Sequence, residues 1–249
     1  MCEIWDLGIV EYRDAWELQR KLHQQRVEGR TADLLLLLEH PPTITIGRSG
    51  SLDNVLVSSN QMAQAGISLF FIERGGNVTY HGLGQLVGYP ILNLRERGGD
   101  LHQYVQNLEE VMRRTLQDFS IEPDSDESHP GVWVMGEEIG AIGLSVKKWV
   151  SMHGFALNIN TDLDHFAFIH PCGFSDKRAT SMSKVLGRNI STAEVSAHLK
   201  SHFYNIFGFS KCTDHKFVHR GESYRRNWAF PGAIRGKDWA EFLIERKEE

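Results

Sequence analysis

Cysteine is scarce in this 249-residue chain. Its three copies, Cys2, Cys172 and Cys212, are too few and too scattered for a disulfide framework or a zinc knuckle. Long hydrophobic runs are missing as well: the longest purely aliphatic stretch is Leu34 to Leu38, far below the roughly 18 residues that a spanning helix needs. The opening MCEIWDLGIVEYRDAW meets acidic residues at once and has no basic region followed by an apolar one, so no export signal is expected. These absences favour a reducing, cytoplasmic setting. There is no excess of positive charge either. Lys plus Arg (27) against Asp plus Glu (32) leaves −5, with no overall footprint for nucleic acid or an anionic membrane. With 41% apolar and 24% charged residues, the composition is that of a globular protein and excludes a disordered chain, a collagen-like fibre and a coiled coil.

Strand-like and helix-like segments alternate through most of the chain. Ile4 to Glu11 reads as a strand and Tyr12 to Gly29 as a helix with apolar positions near Trp16, Leu18 and Leu22. Asp33 to Glu39 is short and apolar enough for a fully buried strand, closed by Pro41-Pro42. Ile67 to Ile72 and Gln85 to Leu94 are further strands. Asp100 is placed to cap a helix reaching about Phe119, with Leu101, Tyr104, Val105, Leu108, Val111, Met112 and Leu116 at helical spacing. The acidic stretch Glu122 to Pro130 reads as an exposed loop. Gly131 to Met135, Ile139 to Val146 and Trp149 to Ile159 are strand-like. Thr192 to Phe207 is helix-like, with Ser191 or Thr192 as its cap and Gly208 as its stop. The simplest account is one α/β domain over residues 1–210, followed by a basic and aromatic C-terminal appendage over 211–249.

The densest chemistry lies in ERGGNVTYHGLGQLVGY, Glu73 to Tyr89. Gly75, Gly76, Gly82, Gly84 and Gly88 leave backbone N–H groups open to a ligand. Arg74 supplies a fixed charge suited to phosphate or carboxylate, and Thr79, Tyr80, His81 and Gln85 add hydroxyl, imidazole and amide groups. Neither a Walker A loop nor a dinucleotide-binding glycine fingerprint is present in this segment. The bland alternative is a Gly-rich hairpin whose arginine pairs with Glu73 and whose histidine merely packs.

A second cluster runs from His153 to Gly173, HGFALNINTDLDHFAFIHPCG. Cys172 stands between a rigid Pro171 and a permissive Gly173. As a nucleophile it would need to be a thiolate, sustained by a neighbouring cation or imidazole, and His81, His153 and His170 are the candidates. The alternative is a buried, inert thiol. Neither HExxH nor CxxC occurs and the twelve histidines are dispersed, so no metal site is expected.

Together the two clusters resemble the lipoyl(octanoyl) transferase family, within the biotin/lipoate protein ligase superfamily. The matching stretches are RGGNVTYHGLGQLVGYPILNL (Arg74 to Leu94), GVWV with IGAIG (Gly131 to Gly143), WVSMHGFALNIN (Trp149 to Asn160), and PCG with TSMSK (Pro171 to Lys184). The resemblance implies an α/β fold, a mixed sheet flanked by helices, and an acyltransferase that uses neither metal nor nucleotide. The implied reaction moves an octanoyl group from octanoyl-acyl carrier protein to a lysine of lipoyl domains. Those acceptors are the E2 subunits of 2-oxoacid dehydrogenases and the glycine cleavage H protein. Cys172 matches the acyl-thioester cysteine. Arg74, Gly75, Gly76, Asn77, Val78, Thr79, Tyr80 and His81 match the substrate loop. Ala141, Ile142, Gly143, Gly154, Phe155 and Ala156 match two strands lining an acyl tunnel, where the small residues leave room for the chain. Arg74, Lys147, Lys148, Arg178 and the stretch Arg220 to Arg226 could dock an acidic carrier.

Glu138 departs from this pattern, because the family carries there a lysine whose ammonium lowers the cysteine pKa. A carboxylate would raise it. Three arrangements are compatible with the exchange. Lys147, Lys148 or a histidine stands in as the cation; a neutral Glu138 or an imidazole acts as base; or the chain is an altered paralogue that binds acyl carrier or lipoyl domain without turnover. An ATP-dependent lipoate or biotin ligase is a further alternative, opposed by Glu138 and by PCG.

Overall fold

The computed structural model describes residues 1–124, 130–170, 178–210 and 212–216, with the backbone alone at 218–219 and 228–229. The chain begins with β1 (Cys2–Ile9), α1 (Tyr12–Val27) and β2 (Asp33–Glu39). Every leucine from Leu34 to Leu38 is buried. Alternation along the strand sends Leu35 and Leu37 to one face and Leu34, Leu36 and Leu38 to the other, which is why five consecutive apolar residues form a strand here.

The segments that follow are β3 (Thr43–Ile46), α2 (Ser59–Gln64), β4 (Ser68–Phe71), β5 (Val78–His81) and β6 (Gln85–Ile91). Next come α3 (Leu101–Asp118), β7 (Val132–Val134), β8 (Glu137–Lys147) and β9 (Val150–Asn158). The chain then forms α4 (Met182–Leu186), α5 (Thr192–Ile206) and β10 (Cys212–Lys216). Seven strands make the main sheet in the order β10-β1-β2-β6-β9-β8-β7, parallel at the β10-β1-β2 edge and antiparallel from β2 onward. The helices α3 and α5 bury Leu108, Met112, Leu116, Val195, Leu199 and Phe203 against one face, and α1 packs Ala15 and Leu22 against the other.

A separate three-stranded sheet, β4-β3-β5, has its own small core around Ile44, Ile46, Tyr80, Phe166 and Ile169. Its strands β3 and β5, and the short helix α2 that precedes β4, have no counterpart in the periodicity reading. β3 and β5 are four residues each and pair with one another across the intervening chain, so neither carries a periodic signal of its own. The first residues beyond position 210 are equally informative. β10 adds the parallel edge strand beside β1, with Cys212 opposite Cys2, so the main sheet extends past that boundary. Most of the loop at Glu122 to Pro130 and the stretch Arg220 to Arg226 lie outside the described residues.

Candidate functional site

The small sheet faces the β8–β9 half of the main sheet across an open cleft of about 600 Å³, its solvent-filled mouth included. One wall consists of three consecutive cross-strand pairs: Ala141–Ala156, Ile142–Phe155 and Gly143–Gly154. The opposite wall is Arg74, Gly76, Asn77, Val78, Thr79 and His81. Tyr12, Tyr89 and His153 close the inner end, and Pro130 and Glu138 also line the space. Two stretches far apart in sequence thus meet across one cleft. Tyr12 was not legible as part of it, because it opens a helix and reaches the cleft only through tertiary packing.

Two residues of the expected set do other work. Tyr80 does not line the cleft: it is buried on the far side of β5, hydrogen-bonded to His165 at 2.9 Å and edge-on to Phe166. Gly75 ties its loop to β8 by donating its N–H to Leu144 O at 2.7 Å. Arg74 is buried and its guanidinium donates to Thr45 O (2.8 Å), Thr45 Oγ1 (3.0 Å) and Gly75 O (2.9 Å). It therefore braces β3 against the glycine loop and is no part of an exposed docking surface. The glycines of the other wall have a packing reason. A Cβ on Gly143 would lie 2.8 Å from Arg74 Cδ, and one on Gly154 would lie 2.1 Å from Gly88 O. Close approach of the Arg74 side chain at Gly143 and of main chain at Gly154, rather than room for a ligand, demands glycine at both positions.

The inner end is a set of buried imidazoles and phenols. His40 bonds Val10 O at 2.7 Å through Nδ1 and Tyr89 Oη at 2.7 Å through Nε2. A carbonyl can only accept, so Nδ1 carries the proton and Nε2 accepts from the tyrosine. Burial pulls His40 down to about 4. His81 donates Nδ1–H to Gln85 Oε1 at 2.8 Å, leaving its neutral ring a lone pair on Nε2. Burial, with His40 adding to it, pulls His81 down to about 3. His81 is therefore neutral at physiological pH and supplies no cation.

His153 differs from both. It is 2% exposed, its backbone lies in the left-handed region at φ 59°, and its N–H donates to Gln19 Oε1 at 2.9 Å. Among the described residues, neither ring nitrogen has a hydrogen-bond partner. Glu73 Oε2, 3.9 Å from Nε2, is too far for a direct bond but close enough to interact electrostatically. The facing imidazole, helped by the Trp16 indole N–H at 3.1 Å, holds Glu73 down at about 2 against the opposing effect of burial, while burial lowers His153 itself.

Glu138 is buried at the cleft. Its N–H donates to Arg178 O and its carbonyl accepts from Thr180 N–H, both at 2.9 Å. Cys172 lies outside the described residues, but the chain on either side of it is anchored. His170 N–H donates to Asn54 O, and Asn54 in turn bonds Asn77 in the cleft wall. Lys147 and Lys148 are exposed at the β8–β9 turn, nine residues from Glu138 along a strand, or roughly 30 Å at 3.3 Å per residue. Neither replaces the ammonium missing at Glu138.

A mixed sheet with helices on both faces and a smaller sheet closing a cleft over one half defines an α/β catalytic domain. A chain of a bi-partite lipoate protein ligase system from Thermoplasma acidophilum shares it, with a TM-score of 0.67 over 88% of each chain and 17% identity. The model of the lipoyl protein ligase A/B catalytic domain matches residues 11–204, and the chain belongs to that family. An octanoyltransferase of Caldicellulosiruptor saccharolyticus is 49% identical over 204 residues, covering 81% of this chain and 87% of its own. One from Solibacter usitatus is 47% identical over 208 residues, covering 84% and 94%.

Proposed function

We propose that this chain is an octanoyltransferase of protein lipoylation, taking octanoyl from octanoyl-acyl carrier protein and delivering it to a lysine of a lipoyl domain through a Cys172 thioester. Relatives of that name, aligned over most of both chains, support the acyl transfer. The observation that carries the site is the cleft itself, where the glycine loop from Arg74 and the strand pair β8–β9 face one another. Both anchors of the segment holding Cys172, at Asn54 and at Glu138, touch its walls. Burying the methylenes of an octanoyl chain at about 0.8 kcal/mol each supplies the binding energy.

In this reading the Cys172 thiolate attacks the thioester carbonyl, and the tetrahedral intermediate collapses to acyl-enzyme as the carrier's thiolate leaves. The ε-amine of the acceptor lysine then attacks the acyl-enzyme, forms the amide and returns the cysteine. The proton lost by that amine needs an acceptor, and His153, buried in the cleft with neither ring nitrogen hydrogen-bonded among the described residues, is the group that takes it. With glutamate at position 138, imidazole rather than lysine sustains the nucleophile. The acceptors are lipoyl domains of 2-oxoacid dehydrogenase E2 subunits and the glycine cleavage H protein, the setting is cytoplasmic, and no metal or nucleotide takes part in the reaction. Residues 1–210 carry the chemistry, and 211–249 form an appendage whose first strand completes the sheet.

Intact-protein mass spectrometry after mixing with octanoyl-acyl carrier protein tests this reading. A mass increase of one octanoyl group on the wild type, absent from Cys172→Ala, is the expected result. No adduct on the wild type together with labelling of Glu138→Lys would mean a binding scaffold whose cysteine lacks its cation. Turnover retained by Cys172→Ala would overturn the thioester mechanism.

A further inference from the structure

On the α3/α5 side of the sheet, a second constellation shares no residue with the cleft. His198 and His202 stand four residues apart on α5, so both project from the same side of the helix. Asp118 is the last residue of α3. Both imidazoles converge on one oxygen of its carboxylate: His198 Nδ1 lies 2.6 Å and His202 Nε2 2.7 Å from Asp118 Oδ2. All three donor atoms fall within 4.8 Å of one another, the one such group among the described residues.

The helices that carry them are not free to drift. Leu108, Met112 and Leu116 of α3 and Val195, Leu199 and Phe203 of α5 belong to one buried core, and the His198 ring meets Phe119 edge-on at 5.3 Å. The cluster remains open to solvent, with side-chain exposures of 43% for His198, 20% for His202 and 32% for Asp118. Imidazole nitrogen and carboxylate oxygen are both donor types that zinc takes. Two imidazoles brought from one helix onto one oxygen of another make a ligand set.

We propose that Asp118, His198 and His202 form a binding site for a borderline divalent metal of the zinc class. The ion ties the C-terminus of α3 to α5 with three protein ligands and leaves a fourth position to water. The donor chemistry suits it, since zinc takes imidazole nitrogen and carboxylate oxygen at about 2.0–2.2 Å. Tetrahedral donors at that bond length stand about 3.3 Å apart, so the present contacts need to open by roughly 0.7 Å. Exposed side chains on rigid helices make that change by small rotamer adjustments. Each histidine ligates as the neutral ring, with its proton on the other nitrogen. The role is structural and independent of acyl transfer.

Tag-free protein stripped with chelator and dialysed against zinc chloride decides it. The wild type is expected to hold one more equivalent than the His198→Gln/His202→Gln variant, a difference that removes any zinc held by the cysteines. Zinc about 100-fold above its Kd should raise the wild-type Tm by roughly 5–10 °C, and that rise should be absent from the double variant. Asp118→Asn provides a check that does not depend on the double variant folding: it should weaken zinc binding at least tenfold while leaving a folded circular dichroism spectrum. Equal zinc content and equal thermal response in the wild type and the variants would overturn the site, leaving a hydrogen-bonded cluster only.

Discussion

Two buried histidines, His81 in the cleft wall and His40 packed behind it at 5.7 Å, carry the same burden. His40 and His81 are neutral because burial denies them a charge, and that preference links stability to pH. A histidine in the unfolded chain binds its proton near pH 6.5, whereas these two resist until about pH 4 and about pH 3. The stability they contribute is fully present above pH 6.5 and is lost as pH falls toward their folded values. Below pH 6 these two groups alone let the unfolded chain bind up to two more protons than the native one, and His153, also lowered by burial, adds to the difference. Each steepens the fall of stability by about 1.4 kcal/mol per pH unit. Calorimetric Tm measured from pH 7.5 to 4.5 should drop steeply below pH 6, and His81→Gln should flatten that slope by the share of one proton, about 1.4 kcal/mol per pH unit. A profile unchanged by the substitution would show that His81 titrates alike in both states. The glycine–histidine segment stood out by its composition alone, and most of Arg74 to His81 lines the cleft. That Tyr80 turns away from the cleft while His81 lines it was not legible, since this depends on which face of β5 the tertiary fold buries.

Helix ends show how far local signals reach. Asp100 caps α3 by accepting from the N–H groups of His102 at 2.8 Å and Gln103 at 3.1 Å, and Gly208 ends α5 in the left-handed conformation at φ 62°. Both were legible because a cap is a transaction among residues within one turn. Asp100→Ala leaves those N–H groups to water and should cost about 1 kcal/mol, read as a lower urea midpoint with an unchanged slope. Strands β3 and β5 carried no such signal. Each is held by its pairing with the other, Thr43 opposite His81 and Ile46 opposite Val78, and by Arg74 bonding Thr45. The substrate loop expected around Arg74 to His81 therefore proves to be partly a strand.

At the scale of the whole molecule, the parallel edge is where residues beyond 210 matter. β10 covers β1, with Ile4 opposite Asp214 and Trp5 opposite His215, and Cys2 beside it is fully buried. Ending the chain at residue 210 removes that strand and leaves the row of N–H and C=O groups on β1 unpaired, a template for another chain. The truncated protein should show a lower Tm and concentration-dependent self-association by sedimentation. A monomer of unchanged Tm would mean that β1 needs no cover.

Hydrophobic periodicity, short apolar runs and cap residues determined by themselves most of the main-sheet strands, β10 excepted, and the three long helices α1, α3 and α5, because those signals act within a few residues of chain. Motif chemistry marked, without a fold, the glycine loop and the start of the His153 segment, both of which line the cleft, while the β8 wall came only from the family resemblance. Only the tertiary structure decided that the glycine loop is braced by a buried Arg74, that Gly143 and Gly154 are glycine because the Arg74 side chain and Gly88 O lie within 3 Å of their Cβ positions, and that Lys147 and Lys148 sit a strand's length from Glu138. It alone brought Asp118 of one helix onto two histidines of another. Contacts of that kind join residues tens of positions apart, and no local pattern encodes them.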